Sequence, residues 1–223
     1  MAPPAWAQAP SPTPPDLNDQ GSFAIVSDGK NVGTEQFEIR SRSSQIEAHG
    51  EIDLKVQQNG RDVEVRTSAS LALNAQFNPI SYTWSQKGAQ SSQLSVDFRS
   101  SPARVRYKMV NGQDDHRDFN LAKDVVVLDD NAMEHYQLAI ARYDQAKGGP
   151  QVFSAFTPQE ALPGVITLNY VGMDPATVNG ESHTLRHYLL ATDLAQINIW
   201  ADDQGHVQVV SAPDAHFQAI RQK

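Results

Sequence analysis

The sequence predicts a mainly β protein, an antiparallel open barrel or β-roll of about twelve strands with one central α-helix at 131–147. The first observation is a series of tight-turn dipeptides, each flanked by alternating or β-branched residues. They are Asp28-Gly29, Asn59-Gly60, Asn111-Gly112 and Asn179-Gly180. Such pairs adopt the positive φ angles that two-residue hairpin loops need. The second observation is that a single segment has clear helical periodicity, so curving sheet is expected to cover that helix.

Before the first hairpin, residues 1–20 are predicted to lie outside the fold. This segment is rich in Pro, Ala and Ser, which favours an extended linker. Ala7-Gln8-Ala9 has the small-x-small form of a signal-peptidase site, which indicates the remnant of a signal peptide. An ordinary flexible tail is the alternative. A single β-rich domain is expected at 21–212, followed by a polar C-terminal tail at 213–223 that frays unless Phe217 and Ile220 dock.

The strands of this domain are recognised by alternation of apolar and polar residues between turns. Those expected are 22–26, 32–40, 45–57, 62–73, 77–85, 93–99, 103–110, 125–128, 151–156, 164–171, 183–191, 195–201 and 206–211. The longest would span ~35–40 Å at about 3.3 Å per residue. Strands of that length indicate a sheet that coils around a centre.

The helix is predicted from a stripe of apolar side chains at spacings of three and four residues. The stripe contains Met133, Tyr136, Ile140 and Tyr143. Asn131 is expected to cap the first turn, with Glu134 three residues later as in a capping box. Gly148, Gly149 and Pro150 end the segment. The opposite side, with Glu134, His135, Gln137, Arg142 and Asp144, is expected to face water.

Composition excludes several classes of function. The chain has no cysteine and a formal net charge of -8, which argue against disulfides, a lipoprotein anchor and a nucleic-acid partner. No apolar run is long enough to predict a transmembrane helix. The sequence has no nucleophile-elbow or metalloprotease motif. We therefore expect a non-enzymatic protein with no catalytic residues, metal or cofactor.

Histidines are common metal ligands and general bases, and this sequence has seven of them. His183 and His187 lie in a predicted strand, where four residues span about 13 Å, so they cannot share one metal ion. His187 is expected to face the core together with Leu185 and Leu189. His116 lies among acidic residues just after a turn, where hydration of a charged surface is the simpler interpretation.

Aromatic residues spread over many strands suggest a ligand cavity, although an ordinary β core is the simpler alternative. The candidate ligand-binding residues are Trp84, Tyr107, Tyr136, Ile140, Tyr143, Tyr170 and Trp200, with His187, Arg104 and Arg106 as candidate polar contacts. Arg104, Arg106 and Lys108 form a cationic stripe along one strand. This stripe either pairs with Asp114, Asp115 and Asp118 across a hairpin or clamps an anionic head group.

The order of these elements resembles a family of bacterial envelope proteins of unassigned function. The resemblance rests on GSFAIVSDGKNVG at 21–33, LDDNAMEHY at 128–136 and INIWADDQGHVQVV at 197–210. More loosely, the chain is similar to the periplasmic lipoprotein-carrier fold, an incomplete barrel around a helix, although those carriers have a more extensive helical lid. The family pattern supplies no catalytic residues.

Together these features predict a periplasmic or secreted envelope protein that binds an apolar or amphipathic, lipid-like molecule between the curved sheet and the helix. The first alternative is a scaffold that pairs with another envelope protein through an edge strand. The second is a hydrolase with an unrecognised site.

Overall fold

The computed structural model describes residues 17–42, 44–58, 60–87, 91–108, 114–129 and 132–222. Ala7-Gln8-Ala9, Asn59, Asn111-Gly112 and the expected helix cap Asn131 lie outside these ranges. Fifteen strands form one sheet, so the expected number of about twelve is corrected upwards. The strands are β1 (Asp19–Ser27), β2 (Lys30–Arg42), β3 (Gln45–Gln58), β4 (Arg61–Asn74), β5 (Pro79–Lys87), β6 (Ser92–Asp97), β7 (Ala103–Lys108), β8 (Asp114–Phe119), β9 (Val126–Val127), β10 (Gln151–Thr157), β11 (Leu162–Val178), β12 (Glu181–Ala191), β13 (Gln196–Ala201), β14 (Val207–Ala212) and β15 (Phe217–Arg221).

The sheet consists of two meanders joined through the first and last strands. Its order is β8-β7-β6-β5-β4-β3-β2-β1-β15-β14-β13-β12-β11-β10-β9. Every pairing is antiparallel except that of β9 with β10. The bidentate contact of Arg221 with Asp19, at 2.5 and 2.8 Å, stabilises the junction between β1 and β15. No helix in the described ranges has the length and apolar character needed to cross a membrane.

The predicted hairpin turns are confirmed where the structure describes them. Asp28 and Gly29 have φ angles of 49° and 73°, and Asn179 and Gly180 have φ angles of 50° and 83°. Both residues of each pair therefore adopt the left-handed region that a type I′ loop requires. These turns set the register of the β1–β2 and β11–β12 hairpins.

Two of the fifteen strands, β8 and β15, lie where sequence analysis expects none. All of β8 except Phe119 is exposed and consists of charged or ionisable residues, so it has no apolar period to recognise. The segment from Pro213 differs from the expected polar tail, because a short 3₁₀ turn at Pro213–Ala215 leads into β15. There Ala219 is fully buried between β1 and β14.

The sheet does not close by hydrogen bonds, because β8 and β9 form its two edges. Aromatic side chains bring the two edge regions together instead. Phe156 on β10 is completely buried, and its ring centroid lies 5.1 Å from that of Phe119 on β8 and 6.4 Å from that of Phe98. We call Phe98, Phe119 and Phe156 the seam. The result is an open, barrel-like sheet.

The helix α1 (Met133–Ile140) is shorter than the predicted 131–147. Beyond Ile140 the N–H groups of Arg142 and Tyr143 donate to carbonyls three residues earlier instead of four, and from Asp144 onward side chains bind the backbone. The amide N–H groups of Ala146 and Lys147 donate to the Asp144 carboxylate, and the Gln151 side chain bonds both the N–H and the C=O of Asp144. Such local side-chain bonds compete with helix formation, so the chain turns here.

The helix is buried on nearly every side, packed against β2, β3 and β14. The expected water-exposed side is therefore wrong for Glu134, His135 and Gln137, each of which is at most 2% exposed. The Gln137 side-chain oxygen accepts the N–H of Val207, which is the first residue of β14. Residue Ala132 precedes the helix without a side-chain cap, so Glu134 does not act in a capping box with it.

A smaller apolar cluster lies apart from the main core. The tip of the β11–β12 hairpin brings Val178 and Leu185 against Val209, and Asn179 donates a hydrogen bond to the carbonyl of Arg221. Along β14, Val209 belongs to this cluster and Val210 to the main core, so the two clusters lie on opposite faces of the sheet. The long β11 therefore folds its distal half over the outer surface.

Candidate functional site

A cavity of about 420 Å³ opens between strands β10 to β13 and helix α1. Its walls come from apolar positions of three strands, where Ala155, Ile166 and Leu190 are buried, and Tyr136 is the residue that the helix contributes. The full lining is Leu128, Asp129, Tyr136, Ala155, Thr157, Glu160, Leu162, Pro163, Gly164, Val165, Ile166, Leu190, Thr192, Asp193, Leu194, Ala195 and Ile197. Small-molecule sites are typically mostly apolar and roughly 300–1,000 Å³ in volume.

Large apolar side chains are exposed to solvent at the mouth of this cavity. Leu162 is 45% exposed, Val165 53% and Leu194 85%. Leu194 is held there by the β12–β13 loop, in which the Thr192 hydroxyl accepts the N–H groups of Leu194 and Ala195. Clustered exposed apolar residues beside a concavity are typical of binding sites.

The polar groups of the lining are acidic or neutral. Glu160 and Asp193 are exposed, and the lining residues that the structure describes include no Lys, Arg or His. Asp129 is buried, and its carboxylate accepts hydrogen bonds from the Tyr82 hydroxyl and the Gln159 N–H. The potential at the cavity mouth is therefore negative.

A second polar feature lies in the interior, where Glu35 of β2 meets Glu134 of the helix. Glu35 is fully buried and accepts the N–H of Met133 at 3.1 and 3.2 Å, so a strand side chain satisfies the first amide of the helix. Gly50 of β3 leaves room for both acids. A Cβ at that position would lie 2.8 Å from one oxygen of Glu134 and 3.1 Å from one of Glu35.

The pKa of Glu35 is raised well above its ordinary value of 4.5, chiefly because burial penalises its charge. The neighbouring Glu134 adds repulsion and favours the protonated form, whereas the Met133 N–H opposes the shift. A protonated Glu35 can donate a hydrogen bond to Glu134, whose two oxygens have no other hydrogen-bond partner among the described residues.

His135 lies between these acids and the cavity wall. Its Nδ1 accepts the N–H of Asp129 at 3.2 Å, so the neutral ring has its proton on Nε2, 3.9 Å from a Glu134 oxygen. Complete burial lowers the pKa of His135, and the charge of Glu134 opposes that shift. No group of three or more His, Asp or Glu side chains in the described part of the chain is arranged to hold a metal ion.

A larger but polar cleft of about 560 Å³ lies over β4 to β8 and contains the cationic stripe. Arg104 makes a bidentate contact with Asp118 at 2.8 and 2.9 Å, which confirms pairing across the hairpin for this arginine. Arg104 correspondingly lowers the pKa of Asp118. One of the three stripe cations is thus neutralised locally, which weakens a head-group clamp here.

The structure separates the sequence-predicted ligand residues into several places. Tyr136 lines the apolar cavity. Trp84, Tyr107, Arg104 and Arg106 line the polar cleft instead. A third group packs in or against the core without reaching either site, and it consists of Ile140, Tyr143 and Tyr170.

Trp200 and His187 form a stacked pair beside the outer cluster, with ring centroids 4.5 Å apart. His187 Nε2 lies 2.9 Å from the Asn198 side-chain oxygen, and Nδ1 lies 3.4 Å from Asp174. His187 is therefore a hydrogen-bonded, largely buried histidine. It does not pack in the main core but on the face of Leu185, which belongs to the outer cluster.

Sequence reasoning missed the remaining cavity residues and the buried acids. Ile166, Leu190 and Ile197 lie in strands with the alternation of apolar and polar residues that any core strand has. Nothing in the sequence therefore distinguishes a cavity wall from a filled core. The burial of Glu35 was predictable from the sequence, because Glu35 lies two and four residues before Phe37 and Ile39 and so faces the same side of β2 as these inward residues. An acid at such a position is rare unless it has a partner.

No protein-family model matches the sequence, and no curated protein matches it significantly. The fold resembles two solved structures of proteins of unknown function. A beta-barrel-like protein of Domain of Unknown Function DUF1849 from Brucella abortus superposes with a TM-score of 0.62 at 10% identity, covering 95% of this chain and 98% of that one. A DUF1089 family protein from Pseudomonas aeruginosa gives a TM-score of 0.51 at 11% identity, covering 96% and 98%. At such identities the similarity establishes a shared barrel-like fold.

Proposed function

We propose that this protein is an exported, non-enzymatic binding protein that holds an apolar or amphipathic, lipid-like molecule in the cavity between β10 to β13 and α1. The observation that carries the proposal is the cavity of about 420 Å³ with Leu162, Val165 and Leu194 exposed at its mouth. Burying one large apolar side chain yields about 1.5–3 kcal/mol relative to exposure. A ligand that covers these three would recover part of that energy.

Export to the periplasm or the extracellular medium is the second part of the proposal. Its support is the Ala7-Gln8-Ala9 motif in a Pro/Ala-rich segment. Cell fractionation of the native host tests it directly. The protein should appear with periplasmic or secreted markers, and recovery with cytoplasmic markers would contradict export.

The scaffold alternative has less support, because the described edges of the sheet are poor templates for another strand. Edge strand β8 exposes five charged or ionisable side chains in a row, from Asp114 to Asp118. Edge strand β9 has two residues, both buried. Charged and very short edges are features that prevent strand addition.

The enzyme alternative has a buried polar cluster but no access to it. Glu35, Glu134 and His135 are each at most 1% exposed, so a substrate cannot reach them in this conformation. Catalytic acids and bases need to come within hydrogen-bond distance of a substrate. These residues are better explained as stabilising the contact between α1 and β2.

Filling the cavity should strongly weaken ligand binding without unfolding the protein. Gly164 lies on the cavity wall, and a Cβ built on it would have no neighbour within 4 Å. We expect Gly164→Phe to weaken binding of the fluorescent apolar probe N-phenyl-1-naphthylamine by roughly tenfold or more, because the ring occupies the space of the probe. Mass spectrometry under native conditions should likewise show loss of any co-purified lipid.

The matched control is Val152→Phe, which adds the same ring on β10 at a residue that is 68% exposed and outside the cavity. It should bind the probe as the unchanged protein does. Circular dichroism spectra of both variants should match that of the parent. Equal probe binding by the parent and Gly164→Phe would show that the ligand site is elsewhere.

A further inference from the structure

The charge of the cavity mouth restricts the class of ligand, and this step rests on the proposed function. Glu160 follows β10 and Asp193 precedes Leu194 in the β12–β13 loop, so two exposed acids flank the entrance from different segments. Neither makes a hydrogen bond or ion pair with a basic side chain in the described part of the chain. Both charges are available to an incoming head group.

The interior cannot compensate for these acids. The Asp129 carboxylate, which also lines the cavity, is bonded to the Tyr82 hydroxyl and the Gln159 N–H. Among the described residues, the lining contains no cationic side chain that could neutralise a carboxylate or phosphate ligand. Binding would therefore transfer an anionic head group from water to a site of negative potential, which is unfavourable.

A positively charged head group is compatible with each part of the site. An apolar tail can occupy the space between Ile166, Leu190 and Tyr136, while the head group stays at the wet mouth near Glu160 and Asp193. We infer that the ligand is an amphiphile whose head group has a positive charge, such as an amine or a quaternary ammonium. An amphiphile with a neutral head should bind less tightly, and a fatty acid least tightly.

Three amphiphiles with the same twelve-carbon alkyl tail test this order. They are dodecyltrimethylammonium, dodecyldimethylamine oxide at pH 8 and tridecanoate, each used below its micelle concentration to displace N-phenyl-1-naphthylamine. We expect dodecyltrimethylammonium to bind roughly tenfold more tightly than tridecanoate at low salt, because two exposed charges act on the head group. The ratio should shrink in 0.5 M NaCl, roughly as expected for screening of exposed charges.

Variants of the acids assign the effect to the entrance. Glu160→Gln combined with Asp193→Asn should bring the ratio close to one, and Glu160→Lys combined with Asp193→Lys should reverse it. The control pair, Asp62→Asn with Glu64→Gln on β4, removes the same net charge outside the cavity and should keep the ratio.

The outcomes separate the two proposals. If none of the three amphiphiles displaces the probe and the probe itself does not bind, the proposed binding function is wrong. If all three bind equally, or tridecanoate binds best, binding stands and the head-group inference is overturned. If the ratio of the affinities fell as much in the control pair as in Glu160→Gln with Asp193→Asn, the preference would arise from net charge. That result would also overturn the head-group inference.

Discussion

Replacing Phe156 with alanine is expected to lower the free energy of unfolding by about 3–5 kcal/mol, the range measured for buried aromatic residues. Phe156 is fully buried at the seam, where it contacts Phe98 and Phe119. These contacts join sheet edges that no hydrogen-bonded strand pair connects. The variant should lose side-chain packing and open the seam as well, because Phe156 is the ring that both Phe98 and Phe119 contact.

Urea denaturation followed by tryptophan fluorescence measures this loss. Phe153→Ala is the control, since Phe153 lies on the same strand, is only partly buried and packs under the Arg142 guanidinium. Phe153→Ala should lower the free energy of unfolding clearly less than Phe156→Ala does. Hydrogen exchange should also show faster exchange of β8 in Phe156→Ala. Equal losses in the two variants would contradict a special role for the seam.

Replacing Glu35 with glutamine should stabilise the protein at neutral and alkaline pH. The pKa of Glu35 is raised in the folded state, so the protonated acid contributes its full stabilising effect below about 4.5, and that effect is lost as pH rises through the folded pKa. Glutamine reproduces the protonated acid at every pH. Its oxygen can accept the Met133 N–H while its amide donates to Glu134.

We expect the stability difference between Glu35→Gln and the parent to be small at pH 4 and to grow to roughly 1–3 kcal/mol at pH 8, the usual cost of an unsatisfied buried polar group. Thermal unfolding from pH 4 to pH 8.5 measures it. The lowered pKa of His135 acts in the opposite sense, because neutral His135 stabilises the fold above about 6.5 and this effect is lost as pH falls. That contribution is common to both proteins and largely cancels in the difference.

Glu38→Gln is the control for this measurement. Glu38 lies on the same strand but faces outward, where it pairs with Arg40. Its stability difference from the parent should show little dependence on pH. If Glu35→Gln gave a difference independent of pH, the raised pKa of Glu35 could not be the cause.

Local turn chemistry made most of this fold predictable from the sequence. The positive φ angles at Asp28-Gly29 and Asn179-Gly180 follow from residue type alone, and the flanking strands follow from alternation. Strand β8 could not be recognised, because an edge strand with the sequence DDHRDF buries almost nothing. β15 was not predicted because its burial depends on pairing with β1, which lies at the opposite end of the chain.

The site was less predictable than the fold, for a physical reason. A cavity is a mismatch in packing between elements that each have ordinary apolar faces, so Ile166 and Leu190 look like core residues in the sequence. The helix gave a misleading pattern as well. Its eight residues are enclosed by β2, β3 and β14, so Glu134 and His135 are buried although their positions on the helical wheel predict exposure.

Because β1 and β15 are adjacent in the sheet, the chain is suited to circular permutation. Strand β1 starts at Asp19 and β15 ends at Arg221, beside each other, while the two sheet edges are consecutive in sequence, at β8 and β9. Joining the present ends with a short linker and cutting the chain between 119 and 126 would yield a permuted protein. In it every strand would lie next to its sequence neighbour. The only pairing that now spans almost the entire chain would become local, so the permuted protein should fold faster than the natural order.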